Sequence, residues 1–339
     1  MQRQLTFGGG VSPRNTHLRG QSIIEYVLIV AVIGLAVIFA GPQVFGAIRN
    51  QFNQVTNTVD SGTGGTGSLS EKEKDYLNMM QSVIAKDAKD WTLDDQEVAA
   101  LDIAKHGTSS VVYAKAKAAM DAGTKFTMEL TNGQTLEYQI IGINHDDLAD
   151  GSGKAGLTFL ATNEAIGDYR MNATDNNAGG WEKSELRQEM NPSEMMNSNS
   201  DEIWNSGEIW DLMPSDFQPR VKSVRKLTNN VGGDANKNAA VTATTDKLFL
   251  LSYSEIVPTS YWAADYPWTS SEGTQYEAFR GKVTNNYSAD ACLATDIEWW
   301  QRSVPPDVSE GFLHVYLDGD MSLAEAATSC CCVCPAWCF

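Results

Sequence analysis

The chain has 339 residues and a formal net charge of -18. That length holds one ordinary domain with appendages, and an acidic surface repels nucleic acid and anionic lipid, which excludes nucleic-acid binding. All nine tryptophans and all but one of the eleven tyrosines lie beyond residue 75, so a large packed domain is expected there rather than a disordered stalk.

The first segment in chain order is a leader with Arg3, Arg14 and Arg19 and no acidic residue. It runs into Gly20-Gln21-Ser22-Ile23-Ile24-Glu25-Tyr26, after which no charge appears until Arg49. A carboxylate in an apolar run is costly unless paired, so Glu25 reads as functional. Tyr26 to Phe45 makes roughly 30 Å of helix, enough to span a bilayer, with Gly41-Pro42 expected to kink it. A secretory cleavage site is poor because bulky Ile38 stands where a small residue is needed. The pattern resembles a type IV prepilin of the Flp-like (tight adherence) kind. The resemblance implies that a prepilin peptidase cuts between Gly20 and Gln21. Glu25 and Tyr26 then become the fifth and sixth residues of the mature chain. It also implies that residues 21–60 form a transmembrane and filament helix, held in the inner or cytoplasmic membrane before assembly with other pilin subunits. The destination is then the cell surface, on an extracellular pilus. A plain membrane anchor is the alternative for the same segment.

Residues 61–70, rich in Gly, Ser and Thr, read as a flexible linker. A helical lead-in over 71–125 follows. Leu77, Met80 and Ile84 share one stripe; Thr92 reads as an N-cap with Asp94 and Asp95 behind it and Gly107 at the stop; a third helix covers Val111 to Met120. The period then changes to two. Phe126 to Leu130 and Leu136 to Ile141 flank Asn132-Gly133, a strong hairpin signal. Leu157 to Leu160 and Lys247 to Leu251 read as strands, and Glu182 to Met190 as a short helix.

Three fragments of the domain over 126–339 carry a second resemblance. They are Gly179 to Arg187, Thr245 to Ser252, and Trp299-Trp300-Gln301-Arg302-Ser303, while Cys332-Val333-Cys334-Pro335-Ala336-Trp337 departs from the resembled pattern by placing Cys332 and Cys334 where a glycine and an arginine are usual. They resemble motifs of a bacterial surface domain of unknown function, one that looks like the C-type-lectin-like fold also used by formylglycine-generating enzymes and retroelement-diversified variable proteins. The fold class expected is therefore α+β: a long N-terminal pilin helix, a flexible linker, then a C-type-lectin-like domain with short strands and long loops. Read from their chemistry, Trp181, Trp299 and Trp300 belong to the core, and Arg187 and Arg302 brace loops by bidentate hydrogen bonds.

Gly311 to Leu317 alternates, with Leu313, Val315 and Leu317 on one face and Phe312, His314 and Tyr316 on the other, before the turn Asp318-Gly319-Asp320. If the aliphatic face is core, Phe312, His314, Tyr316, Asp318 and Asp320 form a ligand-contacting patch; the competing reading buries both faces. The turn His145 to Gly151 lacks the acidic ladder of a calcium loop and reads as solvated. Six cysteines, five of them at 330–338, allow 15 pairings that sequence does not rank, and the spacing does not suit zinc. No catalytic constellation and no cofactor or metal site is expected. The expected function is a minor or tip pilin displaying an adhesin-like domain to an unknown host, phage or bacterial ligand, with its C-terminal end a candidate for retroelement diversification. A structural pilin without a ligand is the alternative, and a surface enzyme of formylglycine-generating type the remote one.

Overall fold

Helical order follows the capping signals. The computed structural model describes residues 71–192, 208–293 and 297–339, and begins with α1 (Glu71–Ala85), α2 (Leu93–His106) and α3 (Tyr113–Asp121). At the start of α2 the Thr92 hydroxyl accepts from the Asp95 N–H at 3.3 Å, and the Asp95 carboxylate accepts from the Thr92 N–H at 2.9 Å. This reciprocal cap satisfies two donors that a helix start leaves free. Gly107 ends α2 at φ +58°, a conformation that residues with a Cβ rarely adopt. The Tyr76 hydroxyl donates to Asp102 at 2.9 Å and ties α1 to α2.

Two five-stranded sheets and a two-stranded ribbon make up the rest. The first sheet runs β1 (Phe126–Glu129), β2 (Thr135–Ile143), β3 (Leu157–Ala161), β12 (Ala336–Cys338), β7 (Leu248–Phe249). The second runs β10 (Leu323–Ala326), β9 (Gly311–Val315), β8 (Trp299–Trp300), β11 (Cys331–Cys332), β4 (Asp168–Tyr169). The ribbon pairs β5 (Val224–Asn229) with β6 (Val241–Asp246). Four short helices, α4 (Gly180–Lys183), α5 (Glu185–Met190), α6 (Glu208–Leu212) and α7 (Tyr253–Ile256), punctuate the connections. The last strand is an interior one: β12 lies between β3 and β7, and every residue from Cys331 to Phe339 is buried. Trp337 at its centre stacks on Phe159 with ring centroids 5.9 Å apart and meets Phe217 edge-on at 5.3 Å.

This architecture corrects the fold expected from the sequence. Among the described residues only α1, α2 and α3 reach seven residues, the longest is the 15-residue α1, and no helix is long and apolar enough to cross a membrane. Gly107 stops α2, and Gly123, at φ +60°, follows the end of α3. Among the described residues, a mixed helix-and-sheet domain without a long helix stands where a C-type-lectin-like unit was expected. The leader at 1–20, the helix expected over 21–60 and the linker at 61–70 lie outside the described residues, as do Gly20, Gln21, Glu25 and Tyr26.

Candidate ligand-contacting site

The loops are held from inside by buried charge. Arg302, fully buried, spends all five of its N–H donors: Nε on Thr228 Oγ1 (2.9 Å), Nη1 on Leu250 O and the Glu255 carboxylate, Nη2 on Leu227 O (3.1 Å) and Glu272 O (2.8 Å). Lys226, equally buried, lies between Glu255 and Asp146 and over the Phe249 ring at 4.2 Å. Asp146 also accepts from Thr158 Oγ1 (2.6 Å) and the Tyr276 hydroxyl (2.9 Å). Burial by itself would raise the carboxyls of Asp146 and Glu255. The facing cations, Lys226 first for Asp146 and Arg302 first for Glu255, instead hold both below the ordinary range. Glu272 has no full counter-charge, and burial raises its carboxyl to about 7 against the opposing Asn229 N–H, Ser303 hydroxyl and Arg302.

The other brace expected from the sequence has the same character. Arg187 donates from Nε to Asp246 at 2.6 Å and from Nη2 to Thr245 O at 3.0 Å, while Trp181 Nε1 donates to the same carboxylate at 3.1 Å. Trp299 and Trp300 are fully buried on β8. All five supporting residues therefore sit in the interior.

The patch proposed on β9 divides. Alternation holds, because Trp300, His314 and Tyr316 contact one another ring to ring along one face, at 6.3 and 6.1 Å. That face is covered, however: Gly311 to Val315 are all buried, and Phe312 and His314 are 0% and 3% exposed. Interior strands of a covered sheet bury both faces, so Phe312 and His314 are corrected to core positions. The His314 imidazole is lowered from its ordinary pKa by burial, with Glu298 and Glu325 opposing. Tyr316 (37% exposed) and Asp318 do reach solvent, and Asp320 is half-buried. Leu317, assigned by alternation to the core face, is exposed, since the strand ends at Val315 and the chain turns.

That turn is rigidly built. Tyr316 N donates to Asp320 O at 2.8 Å, and Gly319 N to Tyr316 O at 2.9 Å. Gly319 has φ +87°, and a Cβ there would lie 2.1 Å from Ser288 O, so only glycine fits. Asp318 accepts from Asp320 N, and Asp320 from Ser322 N and Oγ. The segment at Tyr287 bridges to Asp320 from the other side. Four of the ten exposed large hydrophobics among the described residues, Tyr287, Tyr316, Leu317 and Leu323, gather around this one turn. Tyr287 carried no sequence signal, being a single apolar residue in polar surroundings, and Leu323 none that set it apart from Met321 and the alanines around it. From Val283 to the C-terminus the only Lys or Arg is the buried Arg302, so these segments give the patch a purely acidic rim.

Residues 155–339, more than half of the chain, match the family described as a domain of unknown function, DUF6273. The chain belongs to the DUF6273 family. No curated protein and no solved structure matches it. The DUF6273 segment contains the tyrosine patch, Lys226, Arg302 and all six cysteines, whereas Asp146 lies ahead of it on the connection from β2 to β3. The family segment is thus joined to the β2–β3 connection ahead of it through a buried ion pair. The acidic turn around Asp146 is not a convergent cation site: Asp146 faces Lys226, Asp147 pairs with Lys154, and Asp150 accepts from Ser152 N. No group of three or more His, Cys, Asp or Glu converges among the described residues.

Proposed function

We propose that this DUF6273 protein is a surface-displayed recognition protein, carried to the cell surface as a minor or tip pilin by its prepilin-type N-terminal segment. Its ligand-contacting patch comprises Tyr287, Tyr316, Leu317 and Leu323 with Asp318 and Asp320 at the rim. The observation that carries the reading is the clustering of exposed apolar side chains on a turn whose backbone is pinned on both sides. Isolated apolar surface residues need no explanation, but a cluster on a rigid support marks an interaction surface. Tyrosines contribute large contact area at low entropy cost, and the acidic rim selects a partner of host, phage or bacterial origin that presents Lys or Arg beside apolar groups.

Two experiments separate the halves of this reading. Replacing Tyr287, Tyr316 and Leu317 together by serine is expected to weaken saturable binding to the recognised surface at least tenfold. Each exposed replacement should change unfolding free energy by about 0.5 kcal/mol or less. Undiminished binding, or no saturable binding of the unmutated protein to host, phage or bacterial surfaces, would remove the recognition role. Phe312 and His314 are unsuitable probes, since their replacement tests packing. Mass spectrometry of protein recovered from filaments is expected to find Gln21 at the N-terminus, and Glu25→Ala to impair assembly while leaving cleavage in place. An intact Met1 in filaments would sink the prepilin half and leave the recognition half standing.

A further inference from the structure

The tertiary structure reduces the cysteine pairings that sequence leaves open. Cys292 Sγ lies 3.3 Å from Leu317 O, and Cys338 Sγ lies 3.4 Å from Thr158 Oγ1 and 3.5 Å from Asp146. Cys331 points to the opposite face of β11 from Cys332, because successive strand residues alternate. Cys332 and Cys334 come together, with Sγ atoms 3.8 Å apart and both side chains buried. They also occupy a special place in the chain: Cys332 ends β11 of the second sheet, and Ala336, two residues beyond Cys334, begins β12 of the first.

We propose that Cys332 and Cys334 form a reversible dithiol–disulfide site at the crossing between the two sheets. Cys334 lies just past the end of β11, and even a fully extended chain holds residues i and i+2 no more than about 7 Å apart at Cα, so the pair is within or close to the range that a disulfide spans. The Sγ atoms therefore need to approach by less than about 2 Å to reach bonding distance. The oxidant is a low-molecular-weight disulfide. One cysteine, as thiolate, attacks a sulfur of the oxidant, giving a mixed disulfide and releasing the first small thiol. The second cysteine thiolate then attacks the protein sulfur of that mixed disulfide, forms the Cys332–Cys334 bond and releases the second small thiol. Two electrons and the two cysteine protons leave with the two thiols, so the step balances. The neighbouring Cys332 and burial push the Cys334 thiol well above its ordinary range, which makes exchange slow until the terminal strand opens. Closed, the bridge braces the three-residue passage, Val333 to Pro335, from one sheet to the other; open, it leaves the Pro335 ring as the restraint there.

The proposal depends on the exported location only for the presence of an oxidant, and the test is built around that. The full chain is equilibrated with excess oxidised glutathione, unfolded in the presence of an alkylating reagent, and mapped by peptide mass spectrometry. Four of the six cysteines should alkylate, with Cys332 and Cys334 linked and two hydrogens lighter, and prior dithiothreitol should return all six. Cys332→Ser should leave all five remaining cysteines open to alkylation. Six alkylated cysteines at equilibrium with excess oxidant, or a bridge between any other pair, would overturn the proposal. A pair that closes in glutathione but is found reduced in protein recovered from whole cells supports the dithiol and counts against the exported location.

Discussion

Arg302→Ala is expected to destabilise the domain by about 3–5 kcal/mol, a large share of the 5–15 kcal/mol typical of a folded domain. The side chain is 0% exposed and serves five acceptors drawn from four separate segments. Its removal leaves the Glu255 carboxylate with only Lys226 as counter-charge and strands the carbonyls of Leu227, Leu250 and Glu272 without these donors. An ammonium has three donors and no planar fork, so Arg302→Lys is expected to recover only part of the loss. Urea unfolding of the full chain reads the effect as a lower midpoint with an unchanged slope. A shift equivalent to less than 1 kcal/mol would show that the buried network is nearly neutral in this domain.

Stability is expected to peak on the acid side of neutrality, and Glu272→Gln to move that peak. Glu272 has an ordinary pKa of 4.5 and is raised to about 7 in the fold. Between those values the folded chain binds more protons than the unfolded one, so stability falls as pH rises across that window and levels off above it. At about 1.4 kcal/mol per pH unit the interval corresponds to about 3 kcal/mol. Asp146 and Glu255 act in the opposite sense. Their carboxyls are lowered in the fold, so their contribution is full above the ordinary carboxylate range and is lost as pH falls through it. A glutamine at 272 keeps an acceptor for the Asn229 N–H and supplies a donor to Ser303 Oγ. The variant should match the natural chain below pH 4.5 and exceed it by up to about 3 kcal/mol at pH 8. Parallel stability curves for the two proteins across this range would show that Glu272 is ionised in the folded state.

What the sequence by itself determined is local. The Thr92 cap, the stop at Gly107, the Asn132-Gly133 hairpin and the alternation along β9 each depend on residues within a few positions of one another, and each forms. The bracing roles of Arg187 and Arg302 were also legible, because an arginine in a segment that carries core tryptophans must find partners if it is buried. Tertiary structure decided the rest. Whether the Phe312 and His314 face meets solvent depends on what covers the second sheet, and alternation reports only that two faces differ. Lys226 reads as an ordinary polar position on a ribbon, yet it is buried against Asp146, 80 residues away. Cys332 and Cys334 became a pair, and Cys292 did not join them, through placements set by sheet order. Local patterns follow from backbone geometry and the capping of nearby donors. Long-range burial and charge pairing exist only once the chain has closed around them, and no short window of sequence contains them.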